Sequence, residues 1–406
     1  MAESHAPPAR SYPLGPPDRL ELDAGYAWLR EHEPLARIAM PYGEPAWLVT
    51  RYEDVRTVLG DSRFGRAAAA TRDPPRMYPE PVPGGITDLD PPEHTRMRRL
   101  IGMAFTARRV ELLRPRAEGI ADELLDRMVC EGPPADLVEA YAVPLPAVII
   151  CELLGVPYED RPTFQTWADA YMTTTAIPLE EKTARLGELG AYFAGLVARR
   201  REDPADDLIS ALTQARDERD GLSEEELIGF LMTLLAAGYE TTAGQIANFA
   251  YALVSDPAQL LLVRGGKADV AGAVEELLRH VPVMATGSTF IPRYATEDVE
   301  LSGGTVRAGE PVFAAFYAAN RDPRVYADPE RLDLTRPPRP HLAFGHGAHF
   351  CAGAALARME LQVALHALLR RLPGLRAAVA DEELVWKSGM VVRGPVALPV
   401  TWELSM

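Results

Sequence analysis

The chain has 406 residues, 47% of them apolar, with 42 Lys+Arg against 58 Asp+Glu for a formal charge of −16. That balance argues against nonspecific nucleic-acid binding, confines any positive surface to a local patch, and provides for a sizeable core. Three widely spaced cysteines, Cys130, Cys151 and Cys351, argue against a disulfide framework and suit a reducing cytoplasm, and residues 1–20 are Pro-rich without the apolar run of a signal peptide or membrane anchor.

In chain order, residues 1–18 are expected to form an extended lead-in, and 19–406 a single domain. Helical periodicity covers 21–31, 52–60, 93–113, 114–130, 138–154, 160–173, 181–201, 205–216, 223–254, 257–264, 268–281 and 354–369. Residues 46–49 and 299–313 read as strands, and 384–402 is β-like with Gly389 and Gly394 as turn signals. Cys130 and Cys151 lie in apolar helical stretches and are expected to be packing residues. The fold class is therefore mainly α with small β-sheets.

Four motifs carry chemistry. The first is Phe344-Gly345-His346-Gly347-Ala348-His349-Phe350-Cys351-Ala352-Gly353. Its glycines let the backbone approach a flat ligand, and the loop feeds a helix N-terminus whose free N–H groups and dipole favour a thiolate. A thiolate is what a haem iron takes from cysteine. A zinc site built from His341, His346, His349 and Cys351 is the competing reading, although its spacing is unusual and it has no paired CxxC. A dinucleotide loop fails because position 350 is Phe.

The second motif is Leu235-Ala236-Ala237-Gly238-Tyr239-Glu240-Thr241-Thr242, inside a helix predicted to start at Ser223 with Glu226 completing a capping box. Gly238, Thr241 and Thr242 are poor helix formers, so together they imply a function or a close packing contact. On residue chemistry alone, Glu240 could equally be solvated and Thr241 bonded back to a helical carbonyl. The third motif is Glu276-Leu277-Leu278-Arg279, an i,i+3 pair that means little if exposed. The fourth is Asp90-Pro91-Pro92-Glu93-His94-Thr95-Arg96-Met97-Arg98-Arg99. Asp90 is the expected N-cap and Pro91 the first helical residue, with His94 and Arg98 on one face as cationic donors suited to a pair of carboxylates.

Together these motifs strongly resemble those of the cytochrome P-450 family, over roughly residues 20 to 402, and most closely its soluble bacterial, actinomycete type. The resemblance implies the P-450 fold, with haem b (iron protoporphyrin IX) between the long central helix and the Cys-ligand loop. It implies Cys351 as the metal ligand, and Phe344, Gly345, Gly353, Ala237 and Gly238 as residues against the haem. His94, Arg98, Arg293 and His349 match propionate donors. Glu240 and Thr241 match an acid–alcohol pair that delivers protons to iron-bound oxygen. Glu276 and Arg279 match a buried structural pair completed by an arginine of a later loop. Arg331 is the expected third member, with Arg336 as competitor.

Substrate contacts in the family map here to about 65–89, 163–180, the middle of the 223–254 helix, 283–290 and 388–392. Met284, Ala285, Thr286, Met390 and Val391 are the named candidates, forming an apolar pocket, and the Ala/Pro/Gly-rich 66–85 stretch resembles a mobile lid. The implied activity is monooxygenation, by hydroxylation or epoxidation, of a lipophilic small molecule such as a polyketide or macrolide, using O2. No flavin- or NADPH-binding motif is evident, so a ferredoxin and ferredoxin reductase are implied, with Arg99, Arg108, Arg109 and Arg358 as a local positive face. A cytoplasmic monomer without nucleic-acid or membrane partners is expected. Two alternatives are a P-450-fold enzyme of non-monooxygenase type (oxidative coupling, dehydration or peroxide use) and a non-catalytic haem- or partner-binding module. The intact Glu240-Thr241 pair argues against both.

Overall fold

The computed structural model describes residues 8–79, 85–157, 160–216, 222–286 and 291–404. Among them the helices are α1 (Ala24–His32), α2 (Tyr52–Gly60), α3 (Glu93–Ala104), α4 (Ala107–Glu131), α5 (Pro144–Leu154), α6 (Arg161–Met172), α7 (Leu179–Glu202), α8 (Leu208–Arg216), α9 (Glu224–Ser255), α10 (Pro257–Arg264), α11 (Val270–His280), α12 (Phe316–Ala319) and α13 (Ala354–Arg371). The strands are β1 (Arg10–Ser11), β2 (Leu35–Ala39), β3 (Ala46–Val49), β4 (Phe64–Gly65), β5 (Ala135–Asp136), β6 (Arg293–Ala295), β7 (Val299–Leu301), β8 (Gly304–Val306), β9 (Pro311–Ala314), β10 (Arg376–Ala377) and β11 (Pro399–Thr401). The chain forms two compact units, each assembled from three sequence segments.

The first unit comprises Met1–Thr95, Met284–Arg331 and Pro340–Cys351. Its sheet has the order β1-β2-β3-β9-β6-β4. β2 and β3 pair antiparallel, with Leu35 opposite Val49, and β3 and β9 pair parallel, with Trp47 opposite Val312. Ile38, Leu48 and Phe313 are fully buried. Residues 8–18 of the lead-in are held in this unit: β1 pairs with β2, and Tyr12 is buried with its hydroxyl donating to the Thr286 carbonyl at 2.9 Å. The apolar ring and polar tip of one tyrosine are enough to dock the strand. The β stretch expected over 299–313 holds three strands: the β7–β8 hairpin turns at Ser302 and Gly303, and β9 starts afresh at Pro311.

The second unit comprises Arg96–Val283, Leu332–Arg339 and Ala352–Met406. At its centre is α9, packed against α5, α6, α7 and α13. The predicted capping box is present: Glu226 N donates to Ser223 Oγ at 3.1 Å and Ser223 N to Glu226 Oε2 at 2.7 Å. α9 is apolar enough by composition to cross a membrane, yet 61% of that apolar window is buried inside the protein, as a core helix requires. Asn248 Nδ2 and Gln245 Nε2 bond the carbonyls of Arg393 and Val281, tying α9 to the segments beside it. A Cβ on Gly244 would lie 2.5 Å from Val392 Cγ1, so this glycine lets the C-terminal loop approach. β10-β11-β5 forms a small separate sheet.

Two sequence expectations need correction here. The break between α3 and α4 falls at Thr106, whose side chain caps the Arg109 N–H, and not near Pro115, which α4 carries in its interior. Cys151 is buried as expected, but Cys130 is exposed, because the buried face of α4 runs through Leu124, Leu125 and Met128.

Candidate active site

In the first unit, the loop leading to Cys351 is held by its own backbone. Gly345 N donates to Leu342 O, Phe350 N to Gly347 O, and Cys351 N to Phe344 O at 2.9 Å. Asn320, fully buried, anchors the start of the loop by accepting from Leu342 N at 2.7 Å, and the Tyr52 and Tyr326 hydroxyls both donate to Pro340 O. Gly347 has φ +72°, and a Cβ there would lie 2.5 Å from Leu59 O and 2.6 Å from Gly60 Cα. No other residue fits between the loop and the end of α2 without moving backbone. Phe344 and Phe350 pack edge to face at 6.3 Å. Cys351 carries an exposed thiol outside any disulfide, two residues before Gly353, the N-cap of α13.

The zinc reading finds no support. Among the described residues no group of three or more His, Cys, Asp or Glu side chains is disposed to hold a metal ion.

The same unit gathers cationic side chains. His94 is buried, and its ring lies 4.0 Å from that of His349, centroid to centroid. Arg293, on β6, is 5% exposed and donates to Phe64 O and Leu59 O, with its buried Nε unpartnered. Arg66, absent from the sequence expectations, is 7% exposed, donates to Thr87 O at 2.7 Å, and also has a buried unpartnered Nε. Burial, with the Arg293 charge adding to it, lowers the Arg66 pKa to about 9; burial lowers that of Arg293 to about 10. Asp90 opposes both shifts and Asp88 opposes that of Arg66, yet burial prevails at each, and buried guanidiniums are costly unless an anion offsets them. The pair of carboxylates on a haem fits this donor set. Arg98, one turn beyond His94 along α3, belongs to the second unit and is half-buried.

Asp90 is not the expected N-cap: its carboxylate instead accepts from Arg66 N and Ala67 N, and α3 begins at Glu93. The Asp90 backbone carbonyl still accepts from His94 N at 3.0 Å, and Pro92, at the position a cap would serve, has no N–H to offer its side chain.

The acid–alcohol pair lies in the second unit. Glu240 is 1% exposed and ion-paired with Lys387 from the C-terminal loop, so it is not a solvated surface acid. Thr241 Oγ1 donates to Ala237 O at 2.6 Å, the back-bonded geometry; its single hydrogen is thereby committed and its lone pairs remain as acceptors. Ala237 is exposed and Thr241 half-buried, one turn apart on a helix otherwise largely enclosed. Gly238 was expected against the haem. A Cβ on it would lie 3.1 Å from Ile150 Cδ1, so the helix packs closely on α5 at this position. Nothing lies within 4 Å of a Cβ built on Gly353, so no protein neighbour demands glycine there.

Glu276 and Arg279 are buried, with side chains 3% and 2% exposed, and share bonds of 2.7 and 2.8 Å. The third member is Arg336, whose Nε lies 3.1 Å from Glu276 Oε1; Arg331 is exposed. Asp333 N also donates to Glu276, and the turn from Asp333 to Arg336 presents the guanidinium to the same carboxylate.

The substrate candidates divide between the units. Thr286 is buried and its carbonyl accepts from the Tyr12 and Tyr26 hydroxyls, with Met284 and Ala285 half-buried beside it; 287–290 lie outside the described residues, as does the 80–84 part of the expected lid. Met390 and Val391 lie in a loop clasped to the end of α6: Thr174, Thr175 and Ala176 N–H all point to Gly389 O, and Val391 N donates to Met172 O at 2.8 Å. Of the expected positive face, Arg358 is bound bidentate by Glu275, while Arg99, Arg108 and Arg109 are exposed.

A glycine-framed thiol before a long helix, buried cations suited to two carboxylates, and a buried acid next to a threonine hydroxyl define a haem-thiolate protein. Comparison with known proteins agrees. The Cytochrome P450 family model matches residues 27–259 and 270–375. The chain is 52% identical to mycinamicin IV hydroxylase/epoxidase of Micromonospora griseorubida, over 97% of this chain and 98% of that one. It is 51% identical to nocardicin C N-oxygenase of Nocardia uniformis subsp. tsuyamanensis, over 97% and 98%. The crystal structure of HinD with NMFT and NO superposes with a TM-score of 0.93 at 49% identity, covering 98% of this chain and all of that one. The chain belongs to the cytochrome P450 family, has its fold, and is a monooxygenase of the actinomycete type with a haem cofactor.

Proposed function

We propose that the chain hydroxylates or epoxidises a lipophilic secondary metabolite of the polyketide or macrolide class, with haem b as cofactor and Cys351 as the only protein ligand to iron. The mycinamicin relative motivates the substrate class, and the half-buried Met390 and Val391 are in keeping with an apolar ligand. His94, Arg98, Arg293 and His349, joined by Arg66, take the haem carboxylates. Bound haem supplies dioxygen activation, for which a thiolate ligand pushes electron density onto iron and favours O–O cleavage.

The protein's own part is proton handling and exclusion of water. Glu240, enclosed by the protein, carries a proton inward. Thr241, its hydrogen held by Ala237 O, accepts a hydrogen bond at its oxygen and so orients the donor. Glu276, Arg279 and Arg336 are structural. Electrons come from a ferredoxin and its reductase, with Arg99, Arg108 and Arg109 as contact residues for the acidic partner. The protein works as a cytoplasmic monomer.

The observation that carries this reading is the buried Glu240 next to Thr241 on α9, which a non-catalytic haem protein has no reason to keep. The test of ligation is the ferrous–CO spectrum. The parent should show the strongly red-shifted Soret band of thiolate ligation, and Cys351→His should lose it. Stoichiometric zinc without haem in the purified protein would overturn the assignment.

A further inference from the structure

The buried acid of α9 is not alone. Lys387 reaches its Oε1 from a loop 147 residues further along the chain, and its side chain is 20% exposed against 1% for Glu240. The loop is stiffly held. Lys387 N donates to Gly394 O at 2.9 Å, Val396 N donates to Val385 O at 2.8 Å, and the Trp386 ring packs edge-on to Tyr251 at 5.0 Å. Two residues beyond Lys387, Gly389 O is engaged by the segment after α6. An ammonium on a mobile surface chain contributes little to a neighbouring acid, whereas one fixed at both ends of its loop is preorganised.

A third ionisable group adjoins this pair. Asp169, on α6, is pushed up to about 6 by burial and by the Glu240 charge, and Lys387 and, more weakly, Arg185 of α7 act against that rise. Burial, with both acids and Cys151 of α5 adding to it, pushes the hydroxyl of Tyr239, next to Glu240, up. One lysine thus faces two carboxyls, and it touches Glu240.

Resting on the reading of Glu240 as the proton carrier, we propose that Lys387 is the positioning residue of that acid: it fixes which way the Glu240 carboxyl points and supplies the counter-charge to its carboxylate. Removing the ammonium leaves a buried carboxylate without its counter-charge, and such a group holds a proton to higher pH.

The test is an infrared pH titration of the holoenzyme, read with product formed per NADPH. In Lys387→Gln, a carboxylic-acid carbonyl band should persist about 1–3 pH units above where it titrates in the parent, the shift expected when an opposite charge is removed. The band should be absent from Lys387→Gln/Glu240→Gln, which assigns it. Product per NADPH should fall, and Lys387→Arg should recover both the titration and the coupling, which a purely structural role for the loop does not require. The same titration in Lys387→Gln and parent would overturn the proposal. If Lys387→Gln does not accumulate, Glu240→Gln in that background should rescue it, because the uncompensated charge is then gone; failure of the rescue also overturns the pairing. Glu240→Gln alone judges the underlying reading: unchanged coupling there removes the proton role from Glu240, whereas the infrared shift is decided by Lys387 independently.

Discussion

Arg279→Ala probes the buried network most directly. Arg279 places Nε 2.7 Å from Glu276 Oε2 and Nη2 2.8 Å from Oε1, with both side chains at 3% exposure or less. Removing one member of a buried ion pair costs about 3–5 kcal/mol, chiefly because the other charge stays behind. Here Glu276 retains Arg336 and the Asp333 N–H, so the cost should lie at the low end, about 3 kcal/mol. That is somewhat more than a hundredfold in the folded-to-unfolded ratio, since about 1.4 kcal/mol is tenfold. Arg336→Ala removes a 3.1 Å bond to Glu276 from a side chain 13% exposed, so about 1.5 kcal/mol is expected from that bond. Glu276→Ala takes the shared carboxylate from two guanidiniums and should cost most, about 5 kcal/mol. Urea unfolding of the three variants, extrapolated linearly to water, gives the ranking, and haem per chain on purification gives a second reading. Arg279→Ala within about 0.5 kcal/mol of the parent, or Arg336→Ala as damaging as Arg279→Ala, would refute the assignment of Arg279 as the central member.

Two further predictions concern the acid–alcohol region. Thr241→Ala should leave haem and substrate binding nearly intact, while product per NADPH falls, by as much as about 10²–10⁴-fold, and hydrogen peroxide rises; unchanged coupling would show that the proton is delivered without this hydroxyl. Asp169 gives a pH signature. Its folded pKa, about 6, lies above the ordinary 3.8, so between those values the native state binds more protons than the unfolded chain and stability falls as pH rises. The loss is complete above about pH 6, and Asp169→Asn should therefore gain stability over the parent at pH 7 but not at pH 4. Denaturant midpoints at the two pH values measure this, and an equal effect at both would contradict the shift.

Much of the site is legible in the residues because its chemistry is local. The run around Cys351 announces itself by glycines, and two of them, Gly345 and Gly347, adopt the positive φ that explains them. The start of α9 is written in Ser223 and Glu226, whose reciprocal bonds need only four residues of sequence. Asp90 shows the limit of such reasoning. Its spacing suits a cap, but its carboxylate is taken by the backbone of Arg66 and Ala67.

The sequence by itself determined the family, the helical character and the short-range motifs, since capping, periodicity and loop glycines act over a few residues. Only the tertiary structure decided who partners whom over long separations: Arg336 rather than Arg331 on Glu276, Arg66 beside Arg293, and Lys387 on Glu240. The physical reason is that a long-range ion pair leaves no periodic or compositional trace. Any of the chain's 42 Lys and Arg residues has the charge to complete such a pair, and only the packing of the backbone brings one of them, in a dehydrated space, within reach of a given carboxylate.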